Sequence, residues 1–200
     1  MRKAILHLKK ADPVLRDIIE RVGAYRIKYR EPVFETLVRS IVFQQLSGKA
    51  AGTIYGRLAE ATGEPISPEA ILRLKPERMR ELGLSRQKIE YLRDLASRAK
   101  SGDVDFDACH QLDDEEVVRR FTAVKGIGIW TVQMFLMFAL RRPNVLPTGD
   151  LGLRAAIKKA YGFEQMPKPT EVARLGEIWS PYATVASWYL WRSLEESPDL

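Results

Sequence analysis

Helix-start signals recur along this chain while strand-like alternation of apolar and polar residues is almost absent, and that combination restricts the fold most. Asp12-Pro13 places a capping acid before a proline at the first helical position. Val14, Leu15, Ile18, Ile19 and Val22 follow at helical spacing, and Gly23 closes the helix. Pro32 opens a second helix with Phe34, Leu37, Val38, Ile41 and Val42 on one face. Ser47, Ser67-Pro68, Lys75-Pro76, Ser85 and Asp113 begin others. Residues 129–140 are apolar on nearly every side, which predicts a central helix buried all round. Later helices are expected over 150–161, 170–178 and 181–194. The pattern is that of an all-α protein of about ten short helices.

A chain of 200 residues can bury a real core. Lys and Arg outnumber Asp and Glu by 32 to 26, a net charge of +6 that suits a phosphate-bearing partner without demanding one. Cys109 is the only cysteine, which excludes an internal disulfide and any multi-cysteine zinc or iron–sulfur site, and suits a reducing cytosol. The start is basic but lacks the apolar segment of a secretory signal, and the run 132–140 falls short of the ~20 residues that span a bilayer. A soluble, cytoplasmic protein with no membrane partner is expected.

The segment Val124-Lys125-Gly126-Ile127-Gly128-Ile129-Trp130-Thr131 lies between two helical patterns. Two glycines one residue apart allow a tight turn and a close approach by another chain. The helix that follows begins with N–H groups pointing outward and a dipole that favours an anion. Lys125, Gly126, Gly128, Ile129, Trp130 and Thr131 could thus cradle a phosphate, with Ile127 tucked between the helices; a tight turn with no ligand is the competing reading. The apolar–Lys–Gly–apolar–Gly order resembles the helix-hairpin-helix DNA-binding motif.

Beyond the buried helix, Leu146-Pro147-Thr148-Gly149-Asp150-Leu151-Gly152-Leu153 sets Asp150 in a Pro/Gly loop at a helix head. By itself Asp150 reads as an N-cap, a role compatible with catalysis because capping fixes the carboxylate. A hairpin followed some twenty residues later by such a loop resembles the HhH-GPD superfamily of DNA glycosylases, and the loop is most similar to the 3-methyladenine DNA glycosylase II branch. Phe34-x-x-Leu37-Val38-x-x-Ile41 with Gln44-Gln45-Leu46-Ser47, Leu82-Gly83-Leu84-Ser85 with Lys88 and Tyr91, and Trp179-x-Pro181-Tyr182 with Trp188-Tyr189-Leu190-Trp191 extend the likeness over residues 12–194.

The resemblance implies a monofunctional enzyme that flips an alkylated purine out of double-stranded damaged DNA and hydrolyses its N-glycosidic bond. Asp150 would be the catalytic carboxylate, opposing the positive charge that develops on the sugar. Trp191, Trp130 and Met134 would form the base pocket, although tryptophans are as readily core residues. Gln45 would be the wedge that fills the vacated duplex position, with a helix-end amide as its plain alternative. Lys88 and Arg86 would contact phosphates or lie on a solvated face. No cofactor is implied beyond a monovalent cation at the carbonyls of Thr122, Val124 and Ile127. Trp130 stands where bifunctional relatives carry a Schiff-base lysine, which argues against lyase chemistry. Met134 and Ala183 depart from residues common in the family.

Two helical lobes are expected, residues 31–146 and residues 1–30 with 147–200, with a DNA cleft between them, in a monomer acting at the nucleoid or in the nucleus. Rival readings are a non-enzymatic DNA-binding module, a bifunctional glycosylase–lyase and a helical scaffold without a nucleic-acid role.

Overall fold

The computed structural model describes residues 1–195. Every regular element among them is helical, as the absence of strand alternation requires. In chain order the α-helices are α1 (Arg2–Ala11), α2 (Pro13–Val22), α3 (Phe34–Phe43), α4 (Gly48–Thr62), α5 (Pro68–Arg73), α6 (Pro76–Glu81), α7 (Arg86–Ser101), α8 (Asp114–Thr122), α9 (Ile129–Phe138), α10 (Leu151–Tyr161), α11 (Pro169–Gly176) and α12 (Ala183–Glu195). Short 3₁₀ turns occupy Cys109–Gln111 and Glu177–Trp179.

The capping chemistry read from the sequence is what starts these helices. Asp12, Ser47, Ser67, Ser85, Asp113 and Asp150 each accept a backbone N–H three residues on with the side-chain oxygen. The first helix escaped that reading because its face is narrow. Only Ala4 and Leu8, one turn apart, are buried on α1, among exposed basic residues.

The chain divides into two units, Arg30–Phe135 and Met1–Tyr29 with Leu136–Leu200. The second break thus falls inside α9 rather than near Leu146, because the apolar pattern of residues 129–140 is continuous and offers no boundary to see.

In the unit 30–135, α7 packs against α3, α5 and α6. Its buried stripe Ile89, Leu92, Leu95 and Ala96 follows helical spacing. An aromatic cluster adds to this core: Phe106 meets Phe34, Phe121 and Phe135 edge-on, with centroids 5.6–6.2 Å apart. Pairs of this geometry contribute about 0.5–1.5 kcal/mol each beyond their buried area.

In the other unit, α12 packs against α2 and α10. Leu8, Leu15, Leu153, Ile157, Trp179, Tyr189 and Leu190 form the interior of its core. Asp12, almost fully buried, is the polar centre. Its Oδ1 accepts from Leu15 N at 3.0 Å, while Oδ2 accepts from the Tyr161 hydroxyl at 2.5 Å and from Trp179 Nε1 at 2.8 Å. Burial, reinforced by the Asp12 carboxylate, pushes the Tyr161 phenol above the ordinary tyrosine range.

Candidate active site and hairpin

The hairpin joins α8 to α9. The N–H of Ile127 donates to Val124 O at 3.1 Å and closes the turn, and Ile127 is buried, as a residue tucked between two helices should be. The first bond of α9 runs from Val132 N to Gly128 O at 3.2 Å, so the residue at the helix head has no side chain with which to cap it. The two glycines serve different ends. Gly126 has φ +77°, and a Cβ there would overlap the ring of Tyr91 on α7; it is glycine because the protein needs it to be. Nothing lies within 4 Å of a Cβ built on Gly128, whose backbone is ordinary, so that glycine answers to no internal contact.

The side chains expected around the hairpin sort in the same way. Lys125 N donates to Asp94 Oδ2 at 2.8 Å, and its ammonium pairs with Glu90 across an exposed surface, which raises the lysine above its ordinary range. Thr131 is buried, with 8% of its surface exposed, which removes its side chain from the phosphate-contacting surface. The expectation that residues 129–140 are buried all round is not met: Ile129 and Trp130 are exposed, and Gln133, Met134 and Phe138 are half-buried. Ile129 and Trp130, at the head of the helix next to the tight turn, are 52% and 51% exposed. Met134 is half-buried one turn further along.

Lys88 is not placed as a phosphate ligand. Its Nζ donates to the carbonyls of Val42 (2.6 Å) and Gln44 (2.8 Å), capping the C-terminal end of α3 from the first turn of α7. Burial holds it below the ordinary lysine range. Arg86, two residues earlier, is exposed. Next to this cap, Gln45 is exposed and has φ +56°, one of two non-glycine residues among those described with a left-handed backbone.

Asp150 is the N-cap of α10. Its Oδ1 accepts from Leu153 N at 2.6 Å and from Trp191 Nε1 at 2.8 Å. The indole therefore meets the carboxylate with its edge, while one face stacks on Phe138 at 6.1 Å and 24°. Gly152 leaves the space for this arrangement, since a Cβ there would lie 3.3 Å from Asp150 Oδ1 and 3.4 Å from Trp191 Cδ1. Phe138 and Gly152 were not singled out in the sequence. Phe138 was hidden in a uniformly apolar run, and Gly152 resembles any glycine near a helix start. Two charge-directed bonds, one from a backbone amide and one from an indole, give a half-buried carboxylate a fixed orientation beside an aromatic pair.

Residues 38–181 match the model of the HhH-GPD superfamily base excision DNA repair protein. The chain is 35% identical to DNA-3-methyladenine glycosylase 1 of Schizosaccharomyces pombe, the match covering 96% of this chain and 87% of that protein. It is 34% identical to a putative DNA-3-methyladenine glycosylase of Bacillus subtilis, covering 82% of this chain and 59% of the relative. Among solved structures, the Schizosaccharomyces pombe 3-methyladenine DNA glycosylase in complex with abasic DNA superposes with a TM-score of 0.85 at 34% identity, over 98% of both chains. A DNA-3-methyladenine glycosidase from Bacillus halodurans gives 0.87 at 39% identity, over 95% of this chain and 89% of the other. With the hairpin and the capped Asp150 in place, and with this coverage, the chain belongs to the HhH-GPD superfamily of base excision DNA repair proteins.

Proposed function

We propose that this protein is a monofunctional DNA glycosylase that excises alkylated purines of the 3-methyladenine and 7-methylguanine type during base excision repair. The observation that carries the reading is the fixed carboxylate of Asp150, held through Oδ1 by Leu153 N and Trp191 Nε1 beside the Trp191–Phe138 stack. Relatives matched over most of this chain are named for 3-methyladenine excision, which supports the same substrate class.

The chemistry follows from charge. As the N-glycosidic bond lengthens, the sugar becomes positive and the base leaves with the bonding electrons. An anionic carboxylate held in place stabilises that charge and orients or deprotonates the attacking water. An N-alkylated purine is already cationic and leaves as a neutral base, so the site requires no strong general acid. A cationic ring is attracted to an indole face, the role assigned to Trp191.

On the hairpin, the backbone around Gly128 is proposed to hold a DNA phosphate, with Ile129 and Trp130 exposed beside it. A monovalent cation at the carbonyls of Thr122, Val124 and Ile127 is compatible with the turn. The Val124 carbonyl accepts one hydrogen bond, from Ile127 N, which leaves it a lone pair for an ion. Such an ion would add positive charge facing a phosphate. No helix among the described residues is long and apolar enough to cross a membrane, and the proposed setting is that of genomic DNA.

The deciding experiment measures free bases released from methylated duplex DNA by wild type and by Asp150→Asn. Release of 3-methyladenine or 7-methylguanine by wild type alone establishes the reaction and its catalyst. DNA binding by both proteins without release by either would transfer the protein to the class of non-enzymatic binding modules.

A further inference from the structure

Lys88 presents a problem of economy. The half-buried ammonium of Lys88, whose desolvation lowers its affinity for a proton, is directed at the two carbonyls that finish α3. Its own backbone is fixed as well, because Lys88 N donates to the N-cap Ser85 Oγ at 3.2 Å. The ammonium thus bridges a well-anchored helix start on α7 to the segment that leads into Gln45. Gln44, whose carbonyl Lys88 holds, uses its own side chain to donate from Nε2 to Gly126 O at 2.9 Å. Gly126 in turn sits against Tyr91, one turn along α7 from Lys88, and Asp94 on the same helix accepts from Lys125 N.

These contacts form a closed circuit: α7 to the end of α3, the end of α3 to the hairpin, and the hairpin back to α7. Immediately beyond the circuit is Gln45, exposed and in a left-handed conformation that a side-chain-bearing residue adopts only when its surroundings impose it. Next comes Leu46, 40% exposed.

We propose that Lys88 and Gln44 are positioning residues that hold Gln45 erect at a fixed offset from the hairpin, so that it can enter duplex DNA at the place a flipped base has left. The proposal rests on the glycosylase reading for the identity of the DNA, while the circuit itself does not depend on turnover. Lysine suits the task because its flexible stem reaches two carbonyls at once and a cation is favoured at a helix C-terminus.

A wedge is needed only where there is a duplex to hold open. Single-turnover excision of 7-methylguanine by Lys88→Met is expected to fall ten- to a hundredfold on duplex DNA, yet stay within twofold of wild type on the same strand unpaired. An equal loss on both substrates would mean that Lys88 merely supports the fold, and an unchanged duplex rate would mean that it positions nothing; either result overturns the proposal. Gln45→Ala should reproduce the duplex-only loss and render Lys88→Met silent when combined with it, whereas independent, additive losses would refute the coupling.

A binding measurement separates this idea from the reading on which it rests. A duplex carrying a stable abasic analogue with 2-aminopurine beside it should change fluorescence when wild type binds, and less so with Lys88→Met and Gln45→Ala. Should wild type excise nothing and still give this pattern, the glycosylase reading fails and the wedge stands. Equal fluorescence changes from all three proteins would sink the wedge whatever the turnover.

Discussion

Trp191 Nε1 donates to Asp150 Oδ1 at 2.8 Å, so the indole assigned to the base also holds the carboxylate assigned to the sugar. Trp191→Phe keeps an aromatic ring on Phe138 but removes this bond. A hydrogen bond to a charged group contributes about 1.5–3 kcal/mol, so the excision rate should fall roughly ten- to a hundredfold. Affinity for DNA carrying an abasic analogue should change little. A rate equal to wild type in single-turnover assays would reduce Trp191 to a stacking surface.

Gly152 sets how closely that pair can form. A methyl group at 152 falls 3.3 Å from Asp150 Oδ1 and 3.4 Å from Trp191 Cδ1, tight enough to displace one of them by a few tenths of an ångström. Gly152→Ala is expected to lower excision severalfold while leaving the melting temperature within a few degrees, since alanine favours the helix that glycine weakens by about 1 kcal/mol. Loss of stability instead of rate would show that the space serves packing.

The hairpin glycines should separate in opposite directions. Gly126→Ala combines a positive φ with overlap on Tyr91, and overpacking of this kind costs about 1–3 kcal/mol, so thermal melting should drop and binding should weaken with it. The Cβ of Gly128→Val has open space around it, so its fold should hold while affinity falls for all DNA sequences alike. Melting curves and salt-controlled titrations distinguish the two; an unweakened Gly128→Val protein would remove the phosphate from the hairpin.

Asp12 answers to stability alone. Replacing it by Ala leaves the Leu15, Tyr161 and Trp179 donors without their acceptor, and stranding a buried donor costs about 1–3 kcal/mol. Chemical denaturation should show a loss of that order, without any change in lesion preference in whatever protein remains folded.

Local chemistry was legible in the sequence and long-range chemistry was not. Asp12, Ser47, Ser85, Asp113 and Asp150 announced helix starts because a cap acts on an amide three residues away. Asp150 drew notice through the loop that carries it. Lys88 read as a phosphate contact or as part of a solvated helix face, because its acceptors at 42 and 44 are too distant in sequence for any spacing rule to connect. The Trp191–Asp150 bond spans 41 residues and was equally invisible. At Gly126 the tight turn was legible, and φ is +77°, but the close approach of the Tyr91 ring was not, since Tyr91 lies 35 residues away in the sequence.

The division of the chain bears on the order in which it can fold during synthesis. The helices α1 and α2 are made before residues 30–135, yet Leu8, Leu15, Ile18 and Ile19 belong to a core whose other members, from Leu153 to Leu190, are made after them. Residues 30–135 carry their own contacts and can be completed in between. Helices α1 and α2 must therefore wait, with an apolar face exposed and the Asp12 carboxylate still hydrated, until Trp179 has been translated. Premature termination upstream of that tryptophan would leave a finished middle unit tethered to an orphaned pair of helices, a species that chaperones and proteases would be expected to recognise.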